Sequence, residues 1–108
     1  MKTININFLI TGTKITFPFS AICSITDKRF SGSVIIEYRP NKKVIEYVDA
    51  ERTVKKIVKS RLTVEELVHK IFKKTKENIS PKYLKVLVDA QKSEAHRPVQ
   101  VWIEQEFK

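Results

Sequence analysis

Thr63-Val64-Glu65-Glu66-Leu67-Val68-His69-Lys70-Ile71-Phe72 opens with the form of a capping box. Thr63 stands at the N-cap and Glu66 at the third helical position, where each side chain satisfies an exposed backbone N–H of the other. Behind them Val64, Leu67, Val68, Ile71 and Phe72 recur at i, i+3, i+4, i+7 and i+8, so one face of the helix is apolar and has to be covered. Ser80-Pro81 closes the helical region. Upstream, Asp49 is the expected N-cap of an earlier helix, with Val54, Ile57 and Val58 as its apolar stripe.

Strand patterns flank this helical pair. Thr3 to Phe17 reads as two strands: Ile4, Ile6 and Phe8 alternate with Thr3, Asn5 and Asn7, and Thr11-Gly12-Thr13-Lys14 supplies a turn. Phe17-Pro18-Phe19 and Ser20 to Arg29 read as an irregular polar connection containing Cys23. Phe30 to Tyr38 is a β-branched strand, Arg39 to Lys43 a turn, and Val44 to Val48 a return strand. After the helices come Leu84 to Ala90 and Val99 to Phe107, joined by Gln91 to Pro98. In the last strand Val99, Val101 and Ile103 share a face opposite Gln100, Trp102 and Glu104. Strands, two helices, then strands argue for α+β architecture, with the helices on one face of an antiparallel sheet. The open sheet edges of so small a unit would gain by pairing with other copies, which predicts a homo-oligomer.

The 108 residues suit one domain spanning 1–108. An apolar fraction of 42% excludes a disordered tail, and no apolar run approaches the roughly 20 residues of a membrane-spanning helix. Met1 to Asn5 has no basic region followed by a long apolar run, so no secretion signal is expected and the cytoplasm is the default location. Frequent Lys, Glu, Ile and Val with few Gln and Asn is a bias seen in thermophilic proteins. A single cysteine excludes a disulfide framework and any zinc site with two cysteines. His69 and His96, the only histidines, stand far apart, and no metal is implied.

Lys+Arg 21 against Asp+Glu 12 leaves a formal charge of +9. Nine of the basic residues lie between Asp49 and Asn78, where five are acidic, and Arg39, Lys42 and Lys43 add a basic turn. Surface lysines are common, but this density suits a polyanion. Aromatics are not interleaved with the helical bases, so a structured phosphate backbone fits better than stacked single-stranded bases.

Three places could carry chemistry or recognition. Cys23 could be no more than a small buried hydrophobe. Its polar surroundings (Ser20, Ser24, Thr26 and Asp27), with Lys28 and Arg29 close by, instead favour a thiolate nucleophile. Asp27 could exchange protons beside it or simply shape the turn. Glu65 is not needed for the capping box. A carboxylate at a helix start stays ionised and can accept two parallel N–H bonds from a guanine-like edge, or merely complement the helix dipole. His96, in the loop Ser93 to Pro98, is available for proton transfer or stacking.

Cys23-Ser24-Ile25-Thr26-Asp27-Lys28-Arg29-Phe30, continuing through Ser31-Gly32-Ser33-Val34-Ile35-Ile36-Glu37-Tyr38-Arg39-Pro40, resembles the QueF family of tunnelling-fold proteins. That family has a Cys-Pro-Val/Ile-Thr segment leading into a strand that ends Ile-Glu-Tyr-x-Pro. Leu62 to Val68 resembles its Ile-Phe-His-Glu-Asp-Val-Val segment, and Glu65, 42 positions after Cys23, falls on its base-binding glutamate. The resemblance implies an antiparallel four-stranded sheet with two helices on one face, oligomerising into a β-barrel as a pentamer or decamer. It also implies a cysteine that adds to the nitrile of 7-cyano-7-deazaguanine (preQ0), forming a thioimide, with an aspartate managing protons. The reductase branch then reduces the adduct with NADPH. The QueF-like branch, found in archaea, lets ammonia displace the thiol and makes the amidine of archaeosine in tRNA.

Departures favour the second branch. Where the reductase's nucleotide-binding motif Glu-Ser-Lys-Ser-Leu-Lys should follow, this chain reads Glu46-Tyr47-Val48-Asp49-Ala50-Glu51, and Val64 replaces the reductase histidine before the glutamate. The chain is also shorter than typical reductases. The family aspartate lies seven positions after the cysteine, where Phe30 stands here, so Asp27 is the aspartate expected to take over. The expectation is therefore an archaeosine-forming, QueF-like amidinotransferase without a cofactor. Its partners would be tRNA, a small nitrile base and ammonia, and it would not associate with membranes. Catalysis would fall to Cys23 and Asp27, substrate binding to Glu65 and His96. The rivals are an NADPH-dependent nitrile reductase, a non-catalytic basic RNA-binding module and a purely oligomerising domain.

Overall fold

A computed structural model describes Met1 to Lys108 in full. The chain order is β1 (Thr3–Asn5), β2 (Thr13–Ile22), β3 (Arg29–Arg39), β4 (Lys43–Ile45), α1 (Tyr47–Ile57), α2 (Val64–Ile79), β5 (Tyr83–Ser93) and β6 (Val99–Glu106). The main sheet is four-stranded and antiparallel, in the order β2-β3-β5-β6, and β1 pairs separately with β4. The α+β architecture with two helices on one face is as the sequence predicts.

Period-two alternation builds the covered face of the sheet. Phe17, Phe19 and Ala21 of β2, Val34, Ile36 and Tyr38 of β3, and Leu84, Val86, Val88 and Ala90 of β5 are all buried. Against them lie Val64, Leu67, Val68, Ile71 and Phe72, the stripe expected of α2, together with Ala50 and Val54 of α1. Trp102, on the outward face of β6, remains 52% exposed. No helix is long and apolar enough to cross a membrane.

The capping box at Thr63 forms as predicted: the Glu66 N–H donates to Thr63 Oγ1 and the Thr63 N–H donates to Glu66 Oε1, both at 3.1 Å. The Thr63 N–H, and after it the Thr63 hydroxyl, hold the Glu66 carboxyl below its usual range. Asp49 is likewise held low, chiefly by the Lys2 N–H. Carboxyls with depressed values add stability above their unfolded range and lose it as pH falls through their folded values. Stability should therefore decline below the ordinary carboxylate range, in acid unfolding followed by circular dichroism. Thr63→Ala is expected to cost about 1 kcal/mol, measured by urea denaturation.

Four local expectations need correction. Thr3 to Phe17 is not a hairpin, because β1 pairs with β4 (Ile4 opposite Val44) and β2 begins only at Thr13. The return strand is the short β4, and its Ile45 N–H donates to the buried Tyr38 hydroxyl at 3.0 Å. Phe17 to Ile22 is strand rather than irregular connection. Pro18, opposite Ser33, is tolerated because β2 is an edge strand, while Phe17, Phe19 and Ala21 keep the inward alternation. Finally, Glu46 caps α1 by accepting from the Asp49 N–H, and Asp49 lies within the first turn.

Beyond these corrections, β5 runs on to Ser93 and meets a bulge between Ser31 and Ser33. At Gly32 any Cβ would run into the Asp89 carbonyl oxygen, so glycine allows the β3 and β5 backbones their close approach.

Candidate active site

The antiparallel order sets the place of the site before any side chain is considered. The β2–β3 loop (23–28) and the β5–β6 loop (94–98) emerge at the same end of the sheet, because Phe30 pairs with Ser93. The α1–α2 connection joins them there, since the Leu62 N–H donates to the Ile22 carbonyl at 3.0 Å. An ion pair between Asp27 and Arg61 is a second link between the same two loops. With Leu62 buried, the start of α2 is fixed directly beside the end of β2.

Cys23 is half-buried and free, in a tight turn where its N–H donates to the Lys28 carbonyl (2.9 Å) and its carbonyl accepts from the Asp27 N–H (3.0 Å). The Thr26 N–H, then the Ile25 N–H and the Thr26 hydroxyl, favour the anionic sulfur and hold the thiol below its usual value. Partial desolvation and the negative charge of Glu65 push the other way. The expected influence of Lys28 and Arg29 on the thiol is absent: turn amides stabilise the anion, and Arg29 Nη1 donates to Ser20 Oγ at 2.7 Å. Thr26→Val is therefore expected to raise the thiol pKa and slow alkylation by iodoacetamide at neutral pH, measured as a rate-against-pH curve.

Glu65, at the second position of α2, is exposed and has neither a side-chain hydrogen bond nor an ion pair. Its charge nonetheless reaches the thiol, which places carboxylate and sulfur in one neighbourhood. Asp27 adopts a left-handed backbone (φ 61°), a conformation aspartate tolerates, and its carboxylate faces Arg61.

His96 is set apart within the chain. The N–H groups of Ala95 and His96 donate to Ser93 Oγ (3.1 and 3.2 Å), and the ring Nδ1 lies 2.7 Å from the Arg97 carbonyl. A carbonyl only accepts, so Nδ1 carries the proton and Nε2 of the neutral ring is a free acceptor. Its loop is anchored to β3, the Arg29 N–H donating to Glu94 Oε1 at 2.7 Å. The β5–β6 loop lies two or more strands from β2, about 10–14 Å across the sheet. The structure thus brings Cys23, Asp27 and Glu65 together and leaves His96 at the same end but apart. Sequence reading counts Thr26 only among the polar neighbours of Cys23 and gives Arg61 no part in the site; a hydroxyl three residues beyond a turn cysteine is the signal that singles out the first.

None of the five principal cavities is lined by Cys23 or Glu65. Within one chain, then, neither the thiol nor the carboxylate stands in a closed pocket.

The architecture defines a tunnelling-fold unit: a four-stranded antiparallel sheet carrying two helices on one face. Among solved structures it is similar to the crystal structure of the archaeosine synthase QueF-Like in the apo form, with a TM-score of 0.76 and 23% sequence identity over 88% of this chain and 93% of that one. That likeness establishes the shared fold. No family model matches the sequence, and no curated protein matches it.

Proposed function

We propose that this chain is a QueF-like amidinotransferase that converts the nitrile of preQ0 in tRNA to a formamidine with ammonia. One observation carries the reading. A thiol held below its usual value and an unpartnered carboxylate at a helix start lie on two segments that a main-chain bond joins, the carboxylate's charge reaching the thiol, in the fold shared with an archaeosine synthase. A nitrile carbon is a soft electrophile that a thiolate attacks without a metal or redox cofactor. The S–C bond forms as one C≡N π bond opens, and the nitrogen takes a proton to give the thioimide. Ammonia then adds to that carbon, the C–S bond breaks, and the thiolate departs, leaving the amidine.

Glu65 accepts the paired N–H donors of the guanine-like edge in this scheme. Asp27, beside the turn, exchanges protons, and His96 contacts substrate from the β5–β6 loop. The unpaired edges of β2 and β6 support closure of a β-barrel by further copies, in a pentamer or decamer. The absence of a closed cavity at Cys23 and Glu65 within one chain supports a pocket completed between subunits, which would bring a neighbour's β5–β6 loop toward Cys23.

Incubation of the protein with free preQ0 followed by intact-mass measurement tests the reading. The expected result is a mass increase equal to the whole base, because addition expels nothing, reversed by ammonia with release of amidine. An unmodified mass would overturn it. Consumption of NADPH would favour the reductase. RNA binding without any adduct would favour the non-catalytic module.

A further inference from the structure

A groove of about 650 Å³ runs between α1 and α2, on the side of the helices away from the main sheet. Its lining includes Lys56 of α1 and Lys70, Lys73 and Lys74 of α2, with Lys2 at one end. The only acidic residues there are Asp49 and Glu77. Five lysines against two carboxylates leave a net charge of +3 from side chains. Asp49 already accepts from the Lys2 N–H at 2.6 Å, and none of the four helical lysines is in an ion pair. Lys70 and Lys74 are one helical turn apart, a like-charge spacing that weakens an isolated helix. The chain therefore holds a repulsive cluster that a bound polyanion would relieve.

We infer that this groove is the docking surface for the phosphate backbone of a structured RNA, deepening the tRNA reading and resting on it. Three features choose the partner. The lysines are point charges that suit phosphate oxygens, and the groove has no arginine to read a base edge in bidentate fashion. It contains no aromatic residue, which a single-strand stacking platform would need. Its only apolar linings are Met1 and Ile57, too little to embed in a lipid interface.

Position fits as well. Glu65 lies in the first turn of α2, its charge reaching the thiol, and Lys70 to Lys74 follow about 7–14 Å along the same helix. A base delivered to Cys23 leaves its flanking backbone lying along α2. Edge pairing through β2 and β6 does not cover this helical surface.

The test titrates wild type, K56Q/K70Q/K73Q/K74Q and the charge-matched control K14Q/K82Q/K85Q/K108Q with an in-vitro tRNA transcript, at several salt concentrations, by fluorescence anisotropy. Glutamine keeps side-chain length and helix propensity, and circular dichroism verifies folding. The groove variant is expected to bind at least about tenfold more weakly at 0.1 M salt, its log–log salt slope shallower by about 3–4 units. The control should bind as wild type does. Unchanged binding by the groove variant, or equal weakening of the control, would overturn the inference. So would wild-type binding to phosphatidylserine vesicles that the groove substitutions abolish while tRNA binding persists. Adduct formation by the wild-type protein with free preQ0 is read separately: its failure sinks the catalytic reading and leaves the groove result standing, and the reverse holds too.

Discussion

Cys23→Ala is expected to abolish the preQ0 adduct in intact-mass spectra and to lower amidine formation by at least about 10⁴-fold, since removal of a covalent nucleophile leaves only binding and positioning. The substitution should be structurally mild. Cys23 lies at the rim of the core and is only half-buried, so the loss of one sulfur opens no sealed cavity. Circular dichroism and tRNA affinity should match wild type, which separates a chemical defect from misfolding. Cys23→Ser sharpens the comparison: serine keeps the turn, but its hydroxyl is far less acidic and less nucleophilic than a thiol whose value is lowered, so no adduct should accumulate. A full-mass adduct on Cys23→Ala would place the nucleophile elsewhere.

Glu65→Gln is expected to lower kcat/KM by about 10²-fold, mostly through KM, because the amide presents one acceptor and one donor to a pair of donors. An unpaired N–H then faces an NH₂ group inside the cleft. Glu65→Asp should recover part of the loss, since it restores two acceptors at a shorter reach. A second readout moves the opposite way. Glu65 raises the thiol's value, so its neutralisation should acidify Cys23 further and speed alkylation near neutral pH. Weaker substrate binding with a more reactive thiol is a combination general destabilisation does not produce. Unchanged kcat/KM in Glu65→Gln would remove the carboxylate from base recognition.

What the sequence disclosed depended on how local the cause was. The capping box at Thr63 and the stripe from Val64 to Phe72 are written in adjacent residues, and both formed as expected. Pro18 misled because its cost depends on whether a strand is central or at an edge, a property of the sheet that no neighbouring residue records. Asp49 has the look of a cap in the sequence, but Glu46, three residues earlier, is the cap in the fold. The pairing of β1 with β4 was hidden for the same reason, since it joins segments about forty residues apart.

The site divides along similar lines. The relation of Cys23 to Glu65 was suggested by resemblance and spacing. The origin of the thiol's acidity was misassigned to Lys28 and Arg29. Which backbone amides a turn aims at a sulfur depends on dihedral angles that residue identities do not reveal, and Asp27 with its left-handed backbone illustrates the point.

The bond from the Leu62 amide to the Ile22 carbonyl sets the spacing between the end of β2 and the start of α2 by main chain, not by rotamers. Its anchors run straight into the interior, where Ala21 and Leu62 are almost wholly enclosed. In the proposed reaction, base recognition would thereby be tied to the integrity of the whole fold, persisting on warming until the protein melts.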